Sequence, residues 1–438
     1  MDKKLGLSAL TALVLSSMLG AGIFNLPQNM AAVASPAALL IAWTITGIGI
    51  ILLALTLILL RKLEPHLDGG IFIYAQVGFG NLVGFCSAWG YWLSAIIANV
   101  AYLVIIFSSI SMFSDSTDYV IFGDGNTFYS LFASSVLLWL IHALIIQGVK
   151  TAANVNLIAT IGKLLPLGLF ILLASINFKY SCFQLDFIGH ALEKPIWQQV
   201  KDAMLITLWV FIGIEGAVVM SQRARNQNDI GSATLLAVLA ALGIYMMVTL
   251  ESLGVISRTE LSVMHNPSMA GLMNHLMGIW GTIIIVVGLI LSVCGAYLSW
   301  TIMAAEVPLI AAINKSFLMP SLSLRNSYGA PTVSLYLTNS FVQIGLILIY
   351  LTNCDYNILL TIASEMILLP YLLVTMYLFK IALRLKKLGI AIIATSASFY
   401  EIWLLYASGL TNLLWSILLY IPGILVFCYN YWKKNHKI

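Results

Sequence analysis

Long apolar runs separated by short polar stretches cover nearly the whole chain. Twelve can be marked, at about 5–33, 37–60, 83–113, 128–147, 152–176, 202–221, 231–256, 277–305, 331–351, 357–379, 389–408 and 412–432. Each is near the ~20 apolar residues that cross a bilayer as a helix, and the longer ones leave room for tilt. The pattern predicts an all-α integral membrane protein. The stretch from Leu67 to Gly80 is too polar and glycine-rich to span, and is expected to form a short cytoplasmic-side or re-entrant helix.

Two of the runs are interrupted. The first carries Gly20-Ala21-Gly22 and resumes after Asn25, Pro27 and Gln28; the sixth carries Phe211-Ile212-Gly213-Ile214-Glu215-Gly216. A broken helix exposes N–H groups and carbonyls at membrane depth, which is tolerable only where they are buried in protein or line a wet cavity. Small residues also let helices pack closely, so the first break alone leaves binding and packing both open. The second break, five spans later, favours binding, because interrupted segments at matching places in two halves point to a transporter site. The fifth and tenth runs match as well, with Lys163 before Pro166 and Glu365 before Pro370. Five is odd, so the second half enters from the opposite side. The expectation is one transporter domain over 1–438, with inverted repeats at about 5–176 and 202–379 and two extra helices within 389–432.

Composition agrees with a life in lipid. Of 438 residues 61% are hydrophobic and 9% charged, against about a quarter charged in soluble chains, and the mean hydropathy is +0.98. The net charge of +4 calls for no nucleic-acid partner, because the basic residues follow topology. With both termini in the cytoplasm, sixteen of the 21 Lys and Arg fall inside. Lys179, Lys194, Lys201 and Arg258 fall outside, and Lys163 lies within a span, as the positive-inside rule requires. No cleavable leader is read at the N-terminus. The five cysteines show no metal spacing. The scattered histidines offer neither a metal cluster nor a nucleophile–base pair, so no enzyme, metal or cofactor is expected.

The candidate chemistry gathers around the breaks. A half-helix starting near Gly22 would present free N–H groups and a positive dipole end to a carboxylate. Unpaired carbonyls near Ile212-Gly213 would suit an ammonium group, and the two together describe a zwitterion such as an α-amino acid. Trp209, just before the second break, could hold a cationic side chain on its indole face. Glu215 inside the membrane is a candidate gate or proton group. Lys163 could stand in for a bound sodium ion or form a salt bridge to Glu365, Glu251 or Glu401. Ser94, Asn99 and Trp300 are candidates to line the cavity, and Glu365 to attract a second positive charge on the substrate.

With these residues in place the chain resembles the amino acid–polyamine–organocation transporter family. The likeness is strongest to its basic amino acid antiporters, of the arginine/ornithine or arginine/agmatine kind. It rests on Ser17-Met18-Leu19-Gly20-Ala21-Gly22-Ile23-Phe24 with Pro27, on Asp68-Gly69-Gly70 before Tyr74-Ala75, on Thr207 to Glu215, and on Ala296-Tyr297-Leu298-Ser299-Trp300-Thr301. The resemblance implies a leucine-transporter-like fold working by alternating access in the bacterial inner membrane. The expected substrate site is Gly20, Ala21, Gly22, Ile23, Ser94, Asn99, Trp209, Ile212, Gly213, Trp300 and Glu365, with gating or proton coupling at Lys163 and Glu215; of these the resemblance implies roles for Asn99, Lys163, Trp209, Glu215 and Trp300. Glu365 departs from the arginine/agmatine pattern. Proton-coupled uptake of lysine or another amino acid by the same fold is the competing expectation. The expected partners are amino acid substrates and lipid, no nucleic acid, with a homodimer left open.

Overall fold

The computed structural model describes residues 6–67, 70–147, 150–215, 227–313, 320–353 and 356–435. Regular structure among them is helical throughout. The first predicted span is two helices, α1 (Leu7–Met18) and α2 (Gly22–Val33), bent by 46° at the glycine break. There follow α3 (Pro36–Leu63), the short α4 (Ile71–Phe79), α5 (Asn81–Ser114), α6 (Phe128–Ile146) and α7 (Lys150–Ile176). The sixth run holds α9 (Ile196–Trp209), preceded on the loop by α8 (Tyr180–Gln184). Then come α10 (Gln227–Val255), the loop helices α11 (Arg258–Ser262) and α12 (Ser268–Met277), and α13 (Ile279–Ile313). The chain closes with α14 (Thr332–Thr352), α15 (Tyr356–Arg384), α16 (Leu388–Ser408) and α17 (Leu410–Asn435). Nine of the described helices are long and apolar enough to cross a membrane, or ten if the bent pair is one span.

Local chemistry explains several boundaries. Ser35 caps α3 by accepting from the Ala38 N–H, with Pro36 in the first helical position where its missing N–H costs nothing. Thr127 caps α6 in the same way through Ser130. The expected short helix before the third span is present as α4, between Gly70 and Gly80. The sixth helix begins at Ile196, earlier than the hydropathy pattern suggests, because Pro195 supplies a start upstream of the apolar run.

Burial sorts the helices. The best 18-residue windows of α5 and α15 are 78% and 72% buried, whereas that of α17 is only 11% buried. The third and tenth runs therefore form the centre, and the last helix lies at the rim with most of its apolar surface outward. Helix α5 packs along α15, α13 and α4, while α1 packs on α10 and α7 on α13.

Interior prolines tie this arrangement together. Pro370 in α15 cannot donate to the carbonyl of Met366 one turn back. The Tyr420 hydroxyl of α17 donates to that carbonyl at 3.2 Å. In α7, Pro166 leaves the Gly162 carbonyl, and Gly288 of α13 closes against both. A Cβ at Gly288 would stand 2.9 Å from the Gly162 oxygen, so a bare backbone is needed there.

Candidate functional site

The two breaks meet. After Met18 the chain turns through residues 19–21, with the Gly20 N–H donating to the Met18 carbonyl at 2.8 Å, and restarts as α2 at Gly22. After Trp209, residues 210–215 run as successive turns, with N–H bonds from Phe211, Ile212 and Ile214 each reaching three residues back. The single proton of Ser17 Oγ is shared between the Val14 carbonyl at 2.7 Å and, across the breaks, the Gly213 carbonyl at 3.1 Å. Gly213 has φ +112, and a Cβ on it would lie 2.7 Å from the Ser17 carbonyl oxygen. Conformation and space both demand glycine at that position.

The carbonyls freed by the breaks are met by two side chains. The Lys163 ammonium, from α7, donates to the carbonyls of Ser16 and Leu19 at 2.6 and 3.0 Å. A cation on the last carbonyls of α1 satisfies orphan acceptors and opposes the negative end of that helix. The Tyr245 hydroxyl, from α10, lies 2.8 Å from the Met18 carbonyl and 2.6 Å from that of Val210. Its single proton is shared between the two broken helices. Lys163 and Tyr245 are both buried.

Between the breaks lies a narrow cavity, roughly the size of a water molecule, lined by Met18, Gly20, Ala21, Gly22, Ile23, Ala98, Tyr102, Trp209, Val210, Ile212 and Trp300. Glycine at 22 lets the indole of Trp209 lie against the backbone, since a Cβ there would be 2.7 Å from Trp209 Nε1. Trp209 Nε1 donates to the Tyr356 hydroxyl at 3.2 Å, which fixes the ring's in-plane orientation, and the Tyr102 ring tilts against it at 6.5 Å. One face of the chamber is therefore helix-start backbone and another is aromatic.

Glu215 lies beside this arrangement, outside the cavity lining. Its carboxylate accepts from the Tyr371 hydroxyl at 2.7 Å, the Tyr91 hydroxyl at 3.2 Å and the Gly213 N–H at 3.2 Å. Only 1% of Glu215 is exposed, so three donors take the place of water. Tyr91 in turn tilts against Trp300 at 6.3 Å. The acid thus ties α5 and α15 to the turns that follow α9.

Of the residues singled out from sequence, Gly20, Ala21, Gly22, Ile23, Trp209, Ile212 and Trp300 line the cavity. Gly213 stands between Ser17 and Glu215, and Lys163 sits behind the first break on its carbonyls. Its described partners are these carbonyls rather than Glu365, Glu251 or Glu401. Three candidates fall elsewhere. Ser94 Oγ donates to the Ala363 carbonyl at 2.7 Å and serves the α5–α15 contact. Asn99 Nδ2 donates to Thr301 Oγ1 at 3.4 Å, next to the cavity wall but not part of it. Glu365 accepts from Ser416 Oγ at 2.8 Å and faces α17. Gly216 lies outside the described residues. Sequence reasoning missed five tyrosines, Tyr91, Tyr102, Tyr245, Tyr356 and Tyr371, all buried near the breaks. Nothing distinguished them from the other tyrosines of an aromatic-rich chain.

The chain is 64% identical over 437 residues to a putative arginine/ornithine antiporter of Escherichia coli strain K12, covering 100% of this chain and 94% of that one. It is 42% identical over 457 residues to an arginine/ornithine antiporter of Pseudomonas aeruginosa, covering 100% and 92%. To an arginine/agmatine antiporter of Chlamydia pneumoniae the identity is 39% over 438 residues, covering 97% and 89%. The family model described as amino acid permease matches residues 5–430. With that match over nearly all of its length, the chain belongs to the amino acid permease family.

Proposed function

We propose that this protein is a secondary active antiporter that exchanges arginine for ornithine or agmatine across the bacterial inner membrane. The observation that carries the reading is the meeting of two helix breaks around a chamber walled by Trp209, in a chain whose relatives are named for arginine exchange. The α-carboxylate binds at the first turn of α2, where helix-start N–H groups and dipole favour an anion. The α-ammonium binds the turn carbonyls near Ile212 and Gly213. The guanidinium of arginine, or the side-chain ammonium of ornithine, lies against the Trp209 indole. Agmatine has no carboxylate and engages only the second and third of these subsites.

The coupling follows from how the breaks are held. Lys163 supplies a fixed positive charge to the end of α1, where a bound sodium ion would otherwise serve, so the site needs none. Glu215 with Tyr91 and Tyr371 seals one side of the chamber, and releasing those two phenols opens it. Glu365, turned to Ser416, is left out of the substrate contacts. Twelve spans in a five-plus-five inverted repeat, with both termini in the cytoplasm, complete the proposed topology; the first repeat runs to about 176 and the second from about 202 to 379.

Purified protein in liposomes preloaded with arginine, ornithine, agmatine, lysine or nothing decides between exchange and net uptake. Labelled arginine is expected to enter vesicles loaded with arginine, ornithine or agmatine and to stay out of empty ones. Entry into empty vesicles driven by a proton gradient would replace exchange with proton-coupled uptake.

A further inference from the structure

We infer that α2 and the outer segment 257–276 move as one rigid body during transport, and that Arg258 is the positioning residue that locks them together. The inference rests on the alternating-access reading above. Helix α2 forms the cradle at one end and reaches the loop surface at the other, so whatever grips its far end sets the placement of Gly22.

The grip is polar and multiple. Arg258 is 4% exposed; its Nη1 donates to the carbonyl of Ala31 in the last turn of α2 at 2.9 Å, and its Nε donates to Asp186 Oδ2 at 2.6 Å. A guanidinium on a helix C-terminus meets orphan carbonyls and the negative dipole end together. Gln28 is held three times: its N–H by Ser268 Oγ at 3.1 Å, its Nε2 by the Ser262 carbonyl at 2.9 Å, and its Oε1 by Asn266 Nδ2 at 3.0 Å. Asn266 Nδ2 also reaches Asn29 Oδ1 at 3.1 Å. Parting these surfaces would strip a buried Arg and several amides of their partners at once, each a penalty well above that of sliding apolar contacts.

The other sides of α2 are different. Elsewhere α2 packs against α9 and α10, most of its buried side chains are apolar, Ile23, Phe24 and Leu26 among them, and Gly22 meets the Trp209 ring. Contacts of that kind are non-directional and re-form after a shift. At its inner end α2 joins α1 only through residues 19–21, which lack helical hydrogen bonding along part of their length. The weak joint is thus at the cradle and the strong one at the surface. An outward or inward swing of α2 carries 257–276 with it, and the gap opens against the aromatic wall.

Cross-linking tests this directly. In a background with the five native cysteines replaced by alanine, Asn29→Cys and Asn266→Cys are bridged by a short bifunctional methanethiosulfonate and exchange is measured before bridging, after it, and after reduction. The expected result is that bridged protein keeps more than about half of the reduced protein's rate. Loss of exchange on bridging, recovered on reduction, would show that the surfaces must part and would overturn the inference. Wild-type protein in the same assay reports on the exchange reading separately, since the cross-linking result is the ratio of bridged to reduced rates. As a second readout, Arg258→Met is expected to raise the KM for arginine about tenfold with little change in maximal rate, and Arg258→Lys to recover most of that. A KM unchanged in Arg258→Met, in protein that is folded by its melting profile, would also contradict a positioning role.

Discussion

Three residues show how much of the site is decided by single side chains. Trp209 offers an indole face to the chamber while its N–H is committed to Tyr356. A desolvated cation on that face is worth about 2 kcal/mol or more, so Trp209→Leu is expected to raise the KM for arginine roughly thirtyfold. Kinetics in proteoliposomes check this, and an unchanged KM would remove the indole from the substrate contacts. Gly213 is constrained by both conformation and the Ser17 carbonyl. Gly213→Ala is expected to destabilise the protein by about 2 kcal/mol or more, read as a lowered melting temperature in detergent. Tyr371 supplies the shortest bond to the Glu215 carboxylate. Tyr371→Phe leaves that buried acid one donor short, with an expected loss of about 1.5–3 kcal/mol that should shrink in a Glu215→Gln background.

At this scale the sequence was legible where residue type alone carried the argument. Glycines inside an apolar run marked the breaks, and a lone lysine or glutamate in lipid marked itself by its cost. The tyrosines were not legible, because a phenol in an apolar helix is ordinary until its partner is known. Tyr371 and Glu215, or Tyr245 and Met18, lie more than a hundred positions apart in the chain. Glu365 illustrates the opposite difficulty. Its depth in the membrane could be read, but not its direction, since neighbouring helix positions differ by about 100° in facing. The structure turns it toward Ser416 and the last helix.

Among the elements, prolines act as places where one helix is offered to another. The Met366 carbonyl, left without a donor by Pro370, receives the Tyr420 hydroxyl of α17. Tyr420→Phe is expected to lower stability by about 0.6 kcal/mol, a typical value for a polar contact between membrane helices. In a Pro370→Ala background the helix supplies its own donor, so the same substitution should cost less; equal costs in a double-mutant cycle would contradict the assignment. The loops carry a second element-level device. His265 Nε2 lies 2.8 Å from Asp124 Oδ1, and this hydrogen bond holds the imidazole above its ordinary value of 6.5 and the carboxyl below its ordinary 3.8. For a raised histidine, the stabilisation is fully present below the unfolded value and is lost as pH rises through the folded one. Both side chains are more than half exposed, so the effect is small and screened by salt. Asp124→Asn is therefore expected to lower the His265 titration midpoint, followed by its NMR ring signals, and to flatten the acid-side gain in melting temperature. A midpoint unmoved by the substitution would show that the pair does not form.

For the whole molecule, the architecture reduces to a buried pair of helices, α5 and α15, beside which the break after Met18 faces the turns that follow Trp209. The hydropathy pattern was sufficient for a helical membrane bundle, because apolar length is a local property. It could not say how the breaks approach, since that depends on contacts such as Ser17 with Gly213 and Lys163 with Leu19. Those contacts turn two weak points in separate helices into one chamber. In the proposed binding mode the backbone of that chamber reads what all α-amino acids share, while Trp209 and its aromatic neighbours read the side chain. The most direct test is an experimental structure with arginine bound. The account predicts density in the chamber, with the carboxylate on the first turn of α2 at Gly22 and Ile23 and the guanidinium stacked on Trp209. Arginine seated elsewhere, for instance against Glu365 and Ser416, or in the chamber with its guanidinium turned away from Trp209, would contradict it.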